Sequence, residues 1–480
     1  MFLEQQTLLF PQQMHTFQFK NHKILSNYLQ IGKNFVTLPS NITTMIEKSP
    51  KISKTKILEI LLQKTPSEIE KAVEKINNDY LYWNDVKYKS QNLTCTAIDL
   101  WHYVKASRIP YIAIWKKYDI KLHITTKMQQ MCHLFDMKFG GSWGNDTIID
   151  TNNRPQYLIS SLMEEAIFSS QMEGATTTRK IAKDMLRKEI TPRDKSQQMI
   201  YNNYQTIQFI LEHKNDDITK ELLLTIHRLM TNKTLEKESD AGQFRNNDNV
   251  VVENSITHEV VHTPPSHTEI NEFINDFCHF FNEKEPTIFI HPIIKGIIIH
   301  FMIAFMHPFA DGNGRTARAL FYWYMLKQDY WLTEYLSISK IIAESKKTYE
   351  KAYLYVENDE NDLGYFVTYN LRVLDLAFKK LQQYIKRKTK EKLDANQFLH
   401  IGEINQRQAQ IIKIYYDNPQ ETLTVKEVQN KFGISPTTAK SDIIELVNRG
   451  ILAEISFNKV KKGYIKGPEF DTIISKNIKI

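Results

Sequence analysis

Apolar residues recur at helical spacing along most of the chain. The pattern predicts helices at 156–173, 181–189, 196–214, 218–230, 268–282, 292–306, 314–327 and 337–355, and a further one at 363–385 that runs on into the lysine-rich string KRKTKEK. One helical domain over 156–385 accounts for these most economically. A single non-helical island, 241–265, interrupts it: NVVVENSITHEVVHTPP sets β-branched runs on either side of polar ENS, the pattern of a hairpin. Residues 1–95 mix short apolar runs with TLPSNITTM and KTPSEIEKAVEKINNDYLYW, where Ser67 and Glu70 have capping-box spacing, and form a small accessory module. A connecting helical segment, 96–155, carries the loop string GGSWGND at 140–146.

Past the lysine-rich string a different pattern begins. A periodic helix from Gln406 is followed by LTVKEVQNKFG, ISPTTAKSDIIELVNRG and ILAEISFNKVKKGYIKG, the order helix, helix, turn, helix, hairpin. Gly433 closes the second helix, Ser435 and Pro436 open the third as N-cap and first residue, and Gly450 ends it. The order resembles a winged helix-turn-helix at 396–480. Thr437, Thr438, Lys440 and Ser441 lie on its candidate recognition helix, and Lys459, Lys461 and Lys462 in the wing. Arginine is nearly absent there, and lysine contacts phosphate without specifying bases, so DNA binding and protein docking both stay open. The expected fold class is therefore mainly α, a helical core with a β-hairpin flap between an N-terminal module and a winged helix.

Composition narrows the class without choosing a function. With 42% hydrophobic and 24% charged residues over 480 positions, and only 15 Gly and 15 Pro, the chain is globular rather than collagen-like or low-complexity. Cys95, Cys132 and Cys278 are odd in number and far apart, which supports neither a disulfide framework nor a cysteine zinc site and suits a reducing cytosol. The start, MFLEQQTLLFPQQ, lacks the charged and apolar regions of a secretion signal. The most apolar stretch, 288–309, contains His291, Lys295, His300 and His307 and is expected as a buried helix, with no membrane partner. A net charge of +7 decides nothing about partners.

Chemistry concentrates in HPFADGNGRTAR, 307–318, between an apolar helix and the helix that follows. DGNG is a tight turn opening directly into a helix, so backbone N–H groups and the positive end of the dipole converge on one spot. Arg315 and Arg318 add guanidinium charge one turn apart on one face, suited to polyphosphate oxygens. Asp311 supplies a hard oxygen for Mg²⁺, which binds through one carboxylate together with substrate phosphates. His307 is able to take a proton from an attacking hydroxyl. A calcium loop is excluded, because Arg315 and Thr316 stand where an oxygen ligand and a glycine belong, and no P-loop or kinase signature occurs.

This twelve-residue string matches every fixed position of H-x-F-x-[DE]-G-N-G-R-x-x-R and resembles the signature of the Fic family, with a helical Fic core over 156–385. The resemblance implies an adenylyltransferase that moves AMP from ATP to a Ser, Thr or Tyr hydroxyl of a target protein or of itself, releasing pyrophosphate. It implies that His307 is the base, Asp311 the Mg²⁺ ligand and Phe309 a core anchor. Gly312, Asn313 and Gly314 would give the anion hole, Arg315 would hold phosphates and Arg318 the γ-phosphate. Doc-type kinases of the family carry Lys in place of Gly314 and bind the nucleotide reversed. GQFRNNDNVVV resembles the family's segment leading into a flap, 241–265, on which Val251 and Val252 would dock a target strand. The base pocket is not fixed by the motif; Tyr324, Tyr349 and Tyr353 are candidates.

Upstream, SSQMEG at 169–174 resembles the inhibitory motif [ST]-x-x-x-E-[GN], on the helix 156–174. Ser169 and Glu173 share a face, and Gly174 ends the helix. A carboxylate in a last helical turn opposes the dipole unless it meets a cation. The resemblance implies that the cation is Arg318 and that pairing blocks the γ-phosphate. Inhibition within one chain is expected; a homodimer in which a second copy supplies the helix is the other arrangement. DeAMPylation, transfer of another nucleotide or a phosphate, and a nucleotide-sensing transcriptional regulator are the alternative functions.

Overall fold

A computed structural model describes residues 46–137, 154–253, 260–284, 286–457 and 462–477. Much of the accessory module, the GGSWGND loop, the tip of the 241–265 hairpin, and Lys459 and Lys461 lie outside the described residues. The described chain is mainly helical with three two-stranded antiparallel sheets.

The first part comprises α1 (Lys54–Leu62), α2 (Ser67–Asp79), α3 (Trp83–Val86), α4 (Ala97–Ser107), the strands β1 (Ile112–Trp115) and β2 (Ile120–Leu122), and α5 (Thr126–Phe135). Ser67 and Glu70 do not form the expected capping box. Pro66 occupies the N-cap and Ser67 is already helical, so its hydroxyl is one position too late. The reciprocal box lies instead at Thr96 and Asp99, opening α4.

The helical core follows as α6 (Arg154–Met172), α7 (Arg179–Lys188), α8 (Lys195–Glu212), α9 (Lys220–Thr231), the short strands β3 (Val252–Glu253) and β4 (Val260–His262), α10 (Ile270–Asn282), α11 (Pro292–Met306), α12 (Asn313–Lys327), α13 (Ile338–Glu344), α14 (Lys346–Asn358) and α15 (Gly364–Ala395). The single helix expected at 337–355 is two. The break falls at Ser345, whose hydroxyl bonds back to Ile341 O at 2.9 Å. The lysine-rich string continues α15 rather than unwinding, and Lys388 and Arg387 both pair with Glu391 across a turn.

The apolar stretch forms α11, with twelve of its fifteen residues buried. At about 1.5–3 kcal/mol for each fully buried large aliphatic side chain, this helix is a main source of core stability. Of its polar residues, Lys295 reaches Glu283 at 3.4 Å, and His300 meets the Tyr349 hydroxyl through Nε2 at 3.0 Å. Burial pulls His300 down to about 3, so it is neutral. A buried ionic cluster fastens α4 to the α14–α15 junction, with Lys105 on Asp359 at 3.0 Å and Arg108 on Asp362 at 3.3 Å. Hydroxyls of Tyr365 and Tyr80 donate to the same two carboxylates, each at 2.7 Å, offsetting the cost of their desolvation.

The C-terminal part is α16 (Gln406–Asp417), α17 (Val425–Phe432), α18 (Pro436–Asn448), the hairpin β5 (Leu452–Ser456) and β6 (Lys462–Lys466), and α19 (Phe470–Asn477), the winged-helix order. Ser435 caps α18 with Pro436 as first residue, and Gly433, at φ 62°, closes α17.

Candidate active site

Two antiparallel neighbours, α11 and α12, are joined by the HPFADGNG turn, and every expected catalytic side chain hangs on that junction. The C-cap of the junction's first helix is His307, left-handed at φ 48° and ψ 58°. Left-handed backbone costs a non-glycine residue roughly 1 kcal/mol, so something must hold it. Arg245 does. Its Nε donates to His307 O at 2.9 Å, its backbone N–H to Pro308 O at 2.9 Å, and its guanidinium also reaches Met306 O and Pro265 O. A cation thereby satisfies the carbonyls at the negative end of α11.

The imidazole is oriented by one bond, from Nδ1 to Ala304 O at 2.7 Å. A carbonyl only accepts, so Nδ1 carries the proton and Nε2 is the basic nitrogen. Burial holds His307 below the usual imidazole range despite that hydrogen bond, leaving it neutral at physiological pH.

The turn is braced from beneath. Asn313 Oδ1 accepts from Phe309 N at 3.0 Å and its amide donates to Phe309 O at 2.8 Å, so this side chain closes the loop and only its backbone faces the helix start. Phe309 is buried and stacked on His227, with centroids 3.8 Å apart and planes 3° from parallel. His227 Nε2 donates to Asp311 O at 2.8 Å while Nδ1 accepts from Gly242 N at 3.0 Å, and burial pulls it down to about 4. Gly312 has φ 82°, and a Cβ there would lie 2.8 Å from Thr231 Cγ2. Only glycine fits both the backbone and the space.

Arg315 and Arg318 are both buried, and they are held differently. Arg315 donates to Met230 O at 3.2 Å and lies 3.8 Å from Asp311, while its Nε is buried with no partner among the described residues. Burial lowers its pKa. Arg318 makes three hydrogen bonds to α6 and its C-cap: Nε donates to Ser169 Oγ at 2.9 Å, and one terminal nitrogen donates to Ser169 O at 2.9 Å and to Glu173 Oε1 at 2.8 Å. The expected pair of Glu173 and Arg318 is thus present in the fold, and Ser169 holds the same guanidinium. Burial works against the Glu173 charge, but Arg318 and then Arg315 outweigh it and hold the carboxyl below its usual range. A Cβ built on Gly314 would stand 2.3 Å from Glu173 Oε1, so the carboxylate occupies the space over the start of α12.

Glu173 is delivered there by a Schellman ending. Gly174 N bonds Gln171 O at 3.1 Å and Ala175 N bonds Ser170 O at 3.0 Å, with Gly174 at φ 94°. The Gly of the SSQMEG string has this physical reason: a left-handed residue must follow the carboxylate for the helix to stop on it. Asp311, with a side chain 55% exposed, is the one acidic group on the turn. Among the described residues no cluster of three or more His, Cys, Asp or Glu could cage a metal alone. One half-exposed carboxylate beside a phosphate cradle does fit Mg²⁺, which completes its shell with water and phosphate oxygens.

Among the described residues the flap is an antiparallel strand pair inside the expected 241–265 hairpin. Val252 pairs with His262 and Glu253 with Val260, while Val251, 37% exposed, stands just before the strand. His262 donates from Nε2 to Phe305 O at 2.7 Å and turns Nδ1 to Glu357, so both nitrogens face acceptors. The Glu357 carboxylate raises its pKa against the effect of burial. Of the base candidates, Tyr349 lies beside Arg318 and bonds Tyr353 at 3.0 Å, whereas Tyr324 packs on Phe281 and near Lys295. His227 was not singled out by the sequence. The signal for His227 is its place on the inner face of α9, legible only once α12 is docked there.

These features place a helix-end histidine beside a glycine-rich turn at a helix N-terminus, with two buried guanidinium groups. Residues 217–325 match the Fic/DOC family, and residues 407–455 match the DeoR-like helix-turn-helix domain. The chain therefore carries a Fic domain and, after it, a winged helix-turn-helix. Relatives named protein adenylyltransferase Fic include one from Nematostella vectensis, 33% identical over 23% of this chain, and one from Aedes aegypti, 31% identical over 25%. The chain spans 23% and 22% of their respective lengths. A solved structure of Fic-1 from Caenorhabditis elegans is 19% identical, covers 70% of this chain and 88% of its own, and has a TM-score of 0.46. Among the described residues no helix is long and apolar enough to cross a membrane.

Proposed function

We propose that this protein is an autoinhibited adenylyltransferase that transfers AMP from ATP to a hydroxyl side chain of a target protein or of itself. The observation that carries this reading is the state of His307: its Nδ1 proton is committed to Ala304 O, so the buried, neutral ring has Nε2 for the incoming hydroxyl. The new bond joins that hydroxyl oxygen to the α-phosphorus, the bond from the α-phosphorus to the bridging oxygen breaks, and pyrophosphate leaves. His307 takes the hydroxyl proton. Arg315, the N–H groups at Gly312, Asn313 and Gly314, and Arg318 hold the phosphates, with electrostatics supplying most of the stabilisation in a buried site. Asp311 would hold Mg²⁺, which neutralises phosphate charge when bound.

Val251 and Val252 would align the target by strand addition to the flap. Glu173 acts as the brake. While its carboxylate is on Arg318 and over Gly314, the γ-phosphate lacks both its cation and its space. The test supplies Mg²⁺ and ATP labelled separately on the α- and γ-phosphate to wild type and Glu173→Gly, and reads protein-bound label. Only α-label, and more of it in the variant, supports the proposal. γ-Label would make the protein a kinase, and no label in either protein would remove the transferase reading under these conditions.

A further inference from the structure

The winged helix has a core of its own. Phe398, Ile412, Tyr415, Phe432, Ile443 and Leu446 belong to a buried cluster drawn wholly from residues 398–474. What joins its α17 to the Fic domain is polar. Glu427 is buried and uses its two oxygens for two tasks. Oε2 accepts from Thr424 N at 2.8 Å and Thr424 Oγ1 at 2.9 Å, completing the capping box of α17. Oε1 accepts from Arg187 at 3.1 Å and faces Lys188 at 3.6 Å, both in the last turn of α7. Lys426 pairs with Glu189 at 2.8 Å, and Asn430 donates to Arg187 O at 2.6 Å, filling a carbonyl at the end of α7. In DNA-bound helix-turn-helix proteins the helix equivalent to α17 crosses the phosphate backbone. Here that helix is docked on protein.

Helix α7 is also part of the packing beneath Glu173. Its Ala182, Met185 and Leu186 share one buried cluster with Met163 and Ile167 of α6 and with Ala175. Ala175 is the residue whose N–H closes the Schellman turn, two positions after Glu173. At its other end α7 is tied to α6 through Glu164, which accepts from Arg179 Nε at 3.0 Å and also pairs with Lys183. One ten-residue helix therefore touches both the winged helix and the turn that positions the brake.

We propose that the winged helix is the holder of the brake: its α17, docked through Glu427 on Arg187 and Lys188, presses α7 against α6, keeps the Gly174–Ala175 turn closed and so keeps Glu173 on Arg318. The proposal rests on the inhibitory role of Glu173 given above. Undocking frees the end of α7, loosens the packing of Met185 and Leu186 on Ala175, and lets the carboxylate leave the guanidinium. The docked state is finely balanced. Lys431 on the same helix loses hydration and faces Lys388 and Arg187, which pull its pKa below the ordinary lysine range and oppose docking. Polar interfaces between separately cored units open more readily than apolar ones.

The test uses the full chain with Arg187→Glu/Lys188→Glu, alone and combined with Glu173→Gly, and with Glu427→Gln, which keeps capping-box chemistry while removing the buried charge. Amide hydrogen exchange reads 170–178 and 425–432, and α-labelled ATP reads transfer. The expected result is faster exchange in both segments, a rise in label of about 3-fold or more, no further rise on top of Glu173→Gly, and partial reversal by Glu427→Gln. Faster exchange in 425–432 with 170–178 and label unchanged overturns the proposal, as does an equal rise in the Glu173→Gly background. Unchanged exchange in 425–432 removes the ion pair as the docking element and overturns it too. If Glu173→Gly itself does not raise transfer, the brake reading fails, and linked exchange between the two segments still reports whether α7 couples them.

Discussion

The proposed catalytic turn and the proposed brake lie against the same guanidinium yet are built in opposite ways. Around the turn several backbone groups have dedicated partners: Arg245 on the carbonyls of Met306, His307 and Pro308, His227 on Asp311 O, and Asn313 on both sides of Phe309. Glu173 ends a helix, meets Arg318 through one carboxylate oxygen, and is followed by Gly174, whose vacant Cβ position has nothing within 4 Å. The turn is over-determined, as a preorganised electrostatic site requires. The brake is under-determined, as a part that must move requires. Activity therefore has many ways to be lost on the turn side and a single carboxylate to release on the other.

The largest effect should come from the base. His307→Ala removes the one proton acceptor and should lower α-label transfer by about 10³-fold while leaving nucleotide binding by calorimetry nearly intact. Retained transfer would mean that another group does the work. Next, Arg318→Ala made in the Glu173→Gly background should reduce transfer by on the order of 10²-fold. This variant separates the two regions, because it frees the brake and removes the phosphate contact together; undiminished turnover would leave Arg318 with only an inhibitory role. Third, Glu173→Gly alone should raise transfer by about 10-fold, the size of an ordinary coupling between competing ligands for one site. Equal activity of variant and wild type would show that the contact at 2.8 Å does not limit the enzyme.

The turn was far more legible in the sequence than what supports it. HPFADGNGRTAR puts base, carboxylate, glycines and guanidiniums within twelve residues, and local chemistry suffices to read them. SSQMEG could be linked to Arg318 through a family resemblance and through the expectation that a carboxylate ending a helix needs a cation. His227 could not be found this way, because a histidine on an apolar helix face looks the same whether it braces a loop or fills a core. Among the described residues the flap pairs Val252–Glu253 with Val260–His262, inside the span where the β-branched runs predicted a hairpin. Ser67 failed as a cap for a purely local reason, the neighbouring Pro66 having taken the N-cap. The docking of Glu427 on Arg187 joins residues 240 apart, and no local pattern carries such a contact.

The smallest expected effect is also the one that reads both regions at once, through the acid limb of the pH–rate profile. Burial lowers His307, so its neutral form should prevail at physiological pH, with transfer constant above the lowered pKa and falling as pH drops through it, below 6.5. Two nearby charges act on that limb with opposite sign. Glu173 favours the imidazolium and raises the pKa, whereas His262, charged through its pairing with Glu357, lowers it. Glu173→Gln should therefore shift the limb to lower pH, and His262→Asn should shift it to higher pH, each by less than about one unit. Transfer rates measured between pH 4.5 and 8 in both variants check this, with His262→Asn read for the position of the limb because weakening the flap will lower its height. Shifts of the same sign would mean that the limb belongs to a group other than His307, and the turn would then lose its base while the brake kept its contact.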